Sequence, residues 1–506
     1  MALPKGTRRE GDHPHIPYGA CVAKTTPSGQ PGLSVQEHCG HVGAVAKALL
    51  HRLPEAAKRL IPNDVISLVA LHDIGKVSPG FQKRIQRDSP ERLPPELIQR
   101  SIAELETDHA QISEASLVSW LRGSPTHRGG TEKWAEVLGN HHGKRRNAKP
   151  DGIDPYGGMS WQKERHQLLS QLVQELGPLP SEPPKSPQQI HIVSGLACVT
   201  DWIASDENFF PPEGLPADAD IHKRAAEALD ACGWAFPSIA DGMSFQTVFG
   251  LNQPNSVQES LMDCVKGPGL YILEAPMGMG KTEAALYAAY QLISAGHNNG
   301  IYFGLPTRLT SEKIYERVNR FLDAVIGDST QAGLIHGQAW LRGGGEELEP
   351  GKAWFNPRKR SLLTPYGVGT LDQALLTVMR VKHHFVRSFG MAGKVVILDE
   401  VHSYDVYTGT LLDELVKYLL SIGCSVIILS ATLTWERRRS FLPGTAYPTT
   451  IPTRLSRSRT NSTRSELSQL NPRQRKRSRS PWLSGPGLIL PGWPLNVPKI
   501  GRPCSG

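Results

Sequence analysis

Histidine and aspartate side chains recur through the N-terminal part of this chain in a pattern that can hold metal ions: His38, the adjacent pair His72-Asp73, His109, the pair His141-His142, and Asp201. Each histidine alone has an ordinary reading, since an imidazole on an apolar face is usually a satisfied core or surface group. Asp201 is harder to dismiss. It falls in an apolar helical run with Ile192, Val193, Leu196, Ala197, Val199 and Ile203, where an ionised carboxylate is costly to bury without a counter-charge. The five histidines and two aspartates form a mixed imidazole and carboxylate set with no thiolate, which suits Mn, Fe, Co or Ni as well as Zn. So many donors exceed the needs of one ion, and a bridged pair is expected, with Asp73 offering an oxygen to each. Two divalent ions held this way can activate a water and stabilise the attacking and leaving oxygens in phosphodiester cleavage. His41 competes with His38 for the first position. Lys76 stands where it can either meet a substrate phosphate or remain solvated.

A second chemistry is written in residues 270–286, where an apolar run, Leu270-Tyr-Ile-Leu-Glu274, is followed by Ala-Pro-Met-Gly-Met-Gly-Lys281-Thr282 and a helical pattern. Gly278 and Gly280 let backbone N–H groups turn toward phosphate oxygens, Lys281 can reach the β- and γ-phosphates, and Thr282 can ligate Mg²⁺. Ala275 replaces the first glycine of the general pattern. Further on, an apolar run ends in Asp399-Glu400, where Asp399 can hold Mg²⁺ and Glu400 can place the attacking water on the γ-phosphate. Thr307 and Arg308 follow another such run and can grip nucleic-acid phosphates. Thr370, Ser430 and Thr432 close two more, where their hydroxyls can couple nucleotide state to a bound strand.

These residues need elements to position them. Ser34-Val-Gln-Glu37 has the capping-box pattern ahead of a helical run with Val42, Val45, Ala46, Leu49 and Leu50, which places His38 in the first turns of a helix. The run Val65-Ile-Ser-Leu-Val-Ala-Leu71 leads directly into His72. In the second half, continuous apolar runs at 300–305, 394–398 and 425–429 alternate with helical segments, which predicts a parallel sheet covered on both faces, with functional residues at the strands' carboxyl ends.

The formal net charge of +8 is carried by the tail: residues 451–506 hold 11 Lys and Arg against the single acid Glu466, and the rest of the chain is slightly acidic. Global charge therefore gives no nucleic-acid signal for the folded part. Seven cysteines, Cys21, Cys39, Cys198, Cys232, Cys264, Cys424 and Cys504, are scattered without any Cys-x-x-Cys, against a disulfide framework or a thiolate zinc site. The polar first ten residues and the lack of a bilayer-length apolar run predict a cytoplasmic protein with no membrane partner.

The order of the pieces His38-x-x-His-Val, Leu-His72-Asp73-Ile-Gly-Lys76, Asp-His109-Ala, Asn-His141-His142-Gly and Asp201-Trp-Ile-Ala-Ser205 resembles the HD phosphohydrolase superfamily. More narrowly, it resembles the HD nuclease domain that heads the nuclease–helicase of type I CRISPR interference systems. That resemblance implies one ion on His38, His72, Asp73 and Asp201 and a second on Asp73, His109, His141 and His142. The later wording, Glu-Ala-Pro-Met-Gly-Met-Gly-Lys-Thr-Glu-Ala-Ala-Leu, Gly-Thr370-Leu-Asp-Gln-Ala-Leu and Asp-Glu-Val-His-Ser-Tyr-Asp, is similar to the first RecA-like lobe of the same superfamily 2 helicases, in which Gln258 resembles the glutamine that reads adenine. The resemblance implies metal-dependent cleavage of single-stranded DNA, ATP-driven 3′-to-5′ movement, two divalent ions, ATP with Mg²⁺, and an RNA-guided surveillance complex as partner of a monomeric chain.

The expected organisation is a flexible lead-in over 1–33, an all-α HD-type metal-dependent phosphohydrolase domain over 34–210, a connector over 211–244, an α/β RecA-like P-loop lobe over 245–448, and a disordered basic tail over 449–506. The family pattern continues into a second lobe where this chain turns to Ser/Arg-rich and Pro/Gly-rich sequence, which reads as a frameshift product or a basic arm and predicts ATP binding with little turnover. Two other readings are an inactive DNA- and ATP-binding remnant and an HD phosphohydrolase of small nucleotides.

Overall fold

The computed structural model describes residues 14–125, 128–143, 145–251, 253–327, 330–335, 355, 360–379, 381–401, 406–441 and 488–490. The N-terminal part is helical. Its Val35–Arg52 helix starts at the capping box read from the sequence: Ser34 Oγ accepts from Glu37 N at 3.2 Å, and Glu37 Oε2 accepts from Ser34 N at 2.9 Å. This helix buries Val42, Val45, Ala46 and Leu49 against the apolar Pro187–Ala204 helix and the short Ile66–Ala70 helix. The chain then tightens into a 3-10 turn over Leu71–Lys76. Gly75 permits that turn to press on the His109–Gly123 helix, because a Cβ there would lie 2.0 Å from the His109 carbonyl oxygen.

The lead-in expected over 1–33 is folded from the first described residues. Ile16, Cys21, Val22, Ala23 and Leu33 are buried, Val22 and Thr25 bridge antiparallel to Ser34 and Pro31, and Val22 exchanges two hydrogen bonds with the Gln82 carboxamide at 3.0 and 2.9 Å. Its Pro, Gly and Thr content marks a tight hairpin rather than looseness. The connector expected over 211–244 is also packed. Its Ile221–Ala231 helix buries Ala225, Ala228 and Leu229 beside the Val35–Arg52 helix, and Arg52 reaches Asp230 at 2.7 Å.

The second half forms a seven-stranded sheet of β1 (Leu270–Glu274), β2 (Ile301–Leu305), β3 (Gly333–Ile335), β4 (Tyr366–Thr370), β5 (Val395–Leu398), β6 (Ser425–Ser430) and β7 (Leu488–Leu490) in the order β3-β4-β2-β5-β6-β1-β7. All neighbours are parallel except β7, which pairs antiparallel with β1. Part of the tail expected to be disordered therefore joins the sheet, while the rest of 449–506 lies outside the described residues. Strand residues alternate between two cores. Tyr271, Leu273, Phe303, Ile397, Ile427 and Leu429 face the Lys281–Ser294 and Arg308–Val325 helices, whereas Ile272, Tyr302, Val396, Leu398, Val426 and Ile428 share a core with the helical domain. The domains meet where the Pro187–Ala204 helix crosses the His384–Met391 helix, with Tyr418 donating its hydroxyl to Ser388 Oγ at 2.8 Å and lying 3.1 Å from His191 Nδ1. No helix among the described residues is long and apolar enough to cross a membrane.

A Cβ on Gly195 would meet Phe385 O and Phe389 Cβ at 2.5 Å each, while one on Gly123 meets nothing within 4 Å. Gly195→Val is expected to destabilise the domain junction by about 1–3 kcal/mol. Gly123→Ala, which replaces an exposed helical glycine, is expected to change stability by at most about 1 kcal/mol. Denaturant unfolding followed by proteolysis at 211–244 distinguishes the two, and equal stability of both variants would deny that this junction is close-packed.

Candidate metal centre and nucleotide cleft

Asp73 divides its carboxylate between two groups of imidazoles. Its Oδ2 lies 3.1 Å from His38 Nε2 and 3.2 Å from His72 Nε2, and both nitrogens lie 3.4 Å from Asp201 Oδ1. Its Oδ1 lies 3.2 Å from His109 Nε2 and 3.5 Å from His141 Nε2, and His142 Nε2 approaches His109 Nε2 at 2.8 Å. The structure thus brings together all seven residues singled out for metal binding, as His38, His72, Asp73 and Asp201 on one side and His109, His141 and His142 on the other. His41 is not among them: it lies against the Phe210 ring at 4.9 Å, and burial and the neighbouring His38 lower its pKa to about 4.

The local folds aim these rings. His72 Nδ1 faces Val69 O at 3.2 Å and His141 Nδ1 faces Leu138 O at 2.6 Å, so each ring is held by a backbone carbonyl and turns Nε2 inward. Asp108 caps the helix that His109 begins, accepting from Gln111 N. Ser205 Oγ donates to Asp201 at 3.0 Å. Arg165, fully buried and unremarked in the sequence, gathers the surroundings by donating to Val77 O, Tyr156 O, Ser116 Oγ and Asp151 Oδ1. Arginine in an amphipathic helix gives no sequence signal for that role.

Burial would raise the Asp73 carboxyl and lower the His72 imidazole, but their mutual attraction dominates. With Lys76 and His109 also beside it, Asp73 is held well below the usual carboxylate range, and Asp73 with Asp201 carries His72 up to about 10. Burial would raise Asp201 too, yet His38 and His72 hold it well below that range. Burial and the adjacent His141 and His109 push His142 down to about 3. Lys76 is neither solvated nor free for substrate: its ammonium sits 2.6 Å from Asp73 Oδ2. Even so, His38 Nε2, His72 Nε2, His141 Nε2 and Asp73 Oδ1 are buried and make no aligned hydrogen bond. Nitrogen and oxygen atoms that crowd together without hydrogen-bond geometry fit donors arranged around shared cations, so the residues present suit a divalent pair.

In the α/β lobe, Gly278 and Gly280 adopt φ of +81° and +71°, and Gly280 hands the chain to the Lys281–Ser294 helix. Lys281 Nζ folds back on Ala275 O at 2.7 Å. A cleft of about 410 Å³ is lined by Gly278, Gly280, Lys281, Thr282, Asp399 and Glu400, all expected at a nucleotide site. Glu400 has φ +51°, an uncommon conformation for a residue with a side chain and of the kind found where a functional group is held to order. Gln258 lies beside this loop but braces it: its Oε1 accepts from Asn255 N in a capping box, and its Nε2 donates to Gly280 O at 3.2 Å.

The remaining residues occupy other strand ends. Thr307 caps the Arg308–Val325 helix through Thr310 N, beside an exposed Arg308. Thr370 ends β4 and its carbonyl accepts from Tyr302 Oη, and Ser430 donates to the carbonyl of Thr432 at 2.9 Å. His402 of the Asp-Glu-Val-His-Ser-Tyr-Asp stretch lies outside the described residues. Sequence reasoning passed over Glu274, whose Oε1 accepts from Leu433 N at 2.7 Å and whose Oε2 meets Arg438 at 2.6 Å, tying the phosphate loop's strand to the Ser430-Ala-Thr432 segment. An acid closing an apolar strand was the available signal, the same one read at Asp399.

Residues 23–210 match the family model described as Cas3, HD domain, and residues 255–440 match that of DEAD/DEAH box helicases. The chain is 37% identical to the CRISPR-associated endonuclease/helicase Cas3 of Thermus thermophilus, with 84% of this chain and 51% of that protein covered. The crystal structure of T. fusca Cas3-ATP superposes with a TM-score of 0.70 at 29% identity, over 84% of this chain and 51% of the other. A chain from a CRISPR RNA-guided surveillance complex in a pre-nicking state gives a TM-score of 0.59 at 28% identity, over 85% and 49%. The chain spans about half the length of these relatives. With an HD domain and a helicase domain matched separately and in the same order as in those proteins, it belongs to the Cas3 family of CRISPR-associated nuclease–helicases.

Proposed function

We propose that the helical domain is a metal-dependent nuclease that cuts single-stranded DNA, and that the α/β lobe binds ATP with Mg²⁺, in antiviral defence by a type I CRISPR system. The observation that carries this reading is one buried carboxylate, Asp73, whose two oxygens face two separate groups of imidazoles. His38, His72, Asp73 and Asp201 would hold one Mn, Fe, Co or Ni ion, and Asp73, His109, His141 and His142 a second. Bound there, the pair supplies an activated water and charge stabilisation for in-line phosphodiester cleavage. The chain's own contribution is orientation: carbonyl-held imidazoles fix the donor directions, and burial around Asp73 keeps bulk water from screening them.

The relative found in a surveillance complex supports an RNA-guided partner that opens an R-loop, with the displaced strand as substrate. The solved relative with ATP supports nucleotide binding on Lys281, Thr282, Asp399 and Glu400. Family members move 3′ to 5′ along DNA with two lobes, and an arginine supplied across the cleft is worth roughly 10³–10⁵ in rate. Residues 1–506 taken by themselves are expected to bind ATP with little turnover.

Circular single-stranded DNA should be cut in the presence of Mn²⁺ or Ni²⁺, and the paired His72→Ala and Asp73→Ala variant should lose more than about 100-fold, beyond the 10–100-fold typical of outer-shell changes. No cleavage by the parent chain with metal demonstrably bound would favour an inactive remnant. Metal binding should also release protons. His72, raised to about 10, is charged at neutral pH in the metal-free chain, and a metal needs its neutral nitrogen. Affinity should therefore climb with pH until His72 titrates near 10, and calorimetry at pH 7 in buffers of differing ionisation enthalpy should show a buffer-dependent heat. A heat independent of buffer would place His72 outside the metal shell. Lys281→Ala should abolish ATP binding at concentrations that saturate the parent while leaving ATP-independent cleavage within about twofold, as read by nucleotide fluorescence and nicking assays. A parallel loss of cleavage would join the two sites.

A further inference from the structure

Among the described residues, Lys24 is a cation near the metal centre that lacks an explanation in the chemistry above. Its ammonium nitrogen is buried and makes no hydrogen bond among the described residues. It projects from the hairpin formed by 22–34, in which Ala23 N donates to Leu33 O at 2.7 Å and Gly32 N donates to Lys24 O at 2.9 Å. A Cβ on Gly32 would lie 2.3 Å from Pro212 O, so the hairpin is clamped. The fully buried Gln82 carboxamide fixes the strand beside the active site, since it bonds both Val22 N and Val22 O and also donates to Lys76 O at 2.9 Å. Asp201 exerts the largest charge influence on Lys24, followed by Lys76, Asp73 and Glu207.

A buried ammonium without a partner is unfavourable unless an anion completes it. Of the carboxylates that act on Lys24, Asp73 is held by Lys76 and Asp201 faces His38 and His72, while Glu207, the weakest influence, makes no hydrogen bond to the buried ammonium. Divalent cations on those ligands would repel Lys24 further. An anion entering from outside is what remains. We propose that Lys24 is a phosphate-positioning residue of the HD site, a fixed cation that receives a backbone phosphate of the single strand beside the scissile bond. This deepens the nuclease reading and rests on it. Phosphate contacts position a strand without reading its bases, so the effect should not depend on sequence. Lys76, the cation that sequence alone offered for this task, is held at Asp73, and Lys24 takes it instead.

Lys24→Gln, Lys24→Arg and the exposed control Lys163→Gln decide the matter in the full chain, with fluorescent oligothymidylate and oligodeoxyadenylate as probes. Binding is measured by anisotropy over a salt series, Mn²⁺ binding by calorimetry, and cleavage of circular single-stranded DNA with Mn²⁺. Lys24→Gln should weaken both oligonucleotides about equally and reduce the slope of log affinity against log salt by about 0.7, the share of one phosphate contact on a single strand. Its Mn²⁺ binding should not weaken, its KM for DNA should rise more than its kcat falls, and Lys24→Arg should recover most of the affinity. Lys163→Gln should match the parent. Unchanged affinity and slope in Lys24→Gln would overturn the proposal, as would a joint loss of oligonucleotide and Mn²⁺ binding, which marks a structural prop. A parent chain that binds oligonucleotide without cutting would sink the nuclease reading alone, because the salt slopes still decide the role of Lys24.

Discussion

The Asp73 carboxylate is the constraint on which the rest of the helical domain depends. A buried anion carries a desolvation penalty of several kcal/mol, and it is tolerated only where opposite charge and geometry are both supplied. Here Lys76 supplies charge at 2.6 Å and imidazoles from several different segments approach within 3.5 Å. Those segments must converge on one point, which explains otherwise unrelated features. Gly75 has no room for a side chain because its turn presses on the helix that delivers His109. Arg165 is buried because loop carbonyls on the far side of that turn need a donor.

The two domains are built as neighbours. Alternation along the central strands sends one set of side chains into the lobe's own helices and the other into a core continuous with the HD domain. Lys394, at the head of β5, illustrates the packing: fully buried and pushed down to about 7 by burial, it donates to Leu362 O at 3.0 Å and to Thr364 O, where the apolar context had suggested a simple strand residue. A shared apolar core of this kind resists relative domain motion in a way that the polar interface of a hinged pair does not.

Much of this was legible in the sequence because the governing signals are local. The capping box at Ser34, the phosphate loop and the strand runs are set by near neighbours, and each stands where the pattern placed it. The division of the candidate metal ligands into two groups followed from the resemblance, and Asp201 announced itself through the cost of a carboxylate in an apolar helix. What stayed hidden depends on contacts distant in sequence. The hairpin at 22–34 looked loose because glycine and proline mark tight turns and floppy ones alike, and only its bonds to Gln82 tell them apart. His41 and His38 share a helix three residues apart, and nothing local says that one turns to Phe210 and the other to Asp73. Gln258 had a plausible ligand, and its Nε2 is instead bonded to Gly280 O, a partner 22 residues away that spacing does not reveal.

The arrangement also gives the two sites different places on the sheet. The nucleotide cleft opens at the carboxyl edge of the sheet, among Lys281, Thr282, Asp399 and Glu400, whereas the HD domain is seated on the sheet's face. The HD domain also meets the lobe at the turn after His141-His142: Gly143 O accepts from His383 N at 3.4 Å, and a Cβ on Gly143 would lie within 2.9 Å of the Lys382 and His383 side chains. His383 itself holds φ +61° at the start of the helix that backs the domain junction. Close packing on both sides leaves that turn one place to sit. The lobe therefore walls one side of the turn that follows His141 and His142.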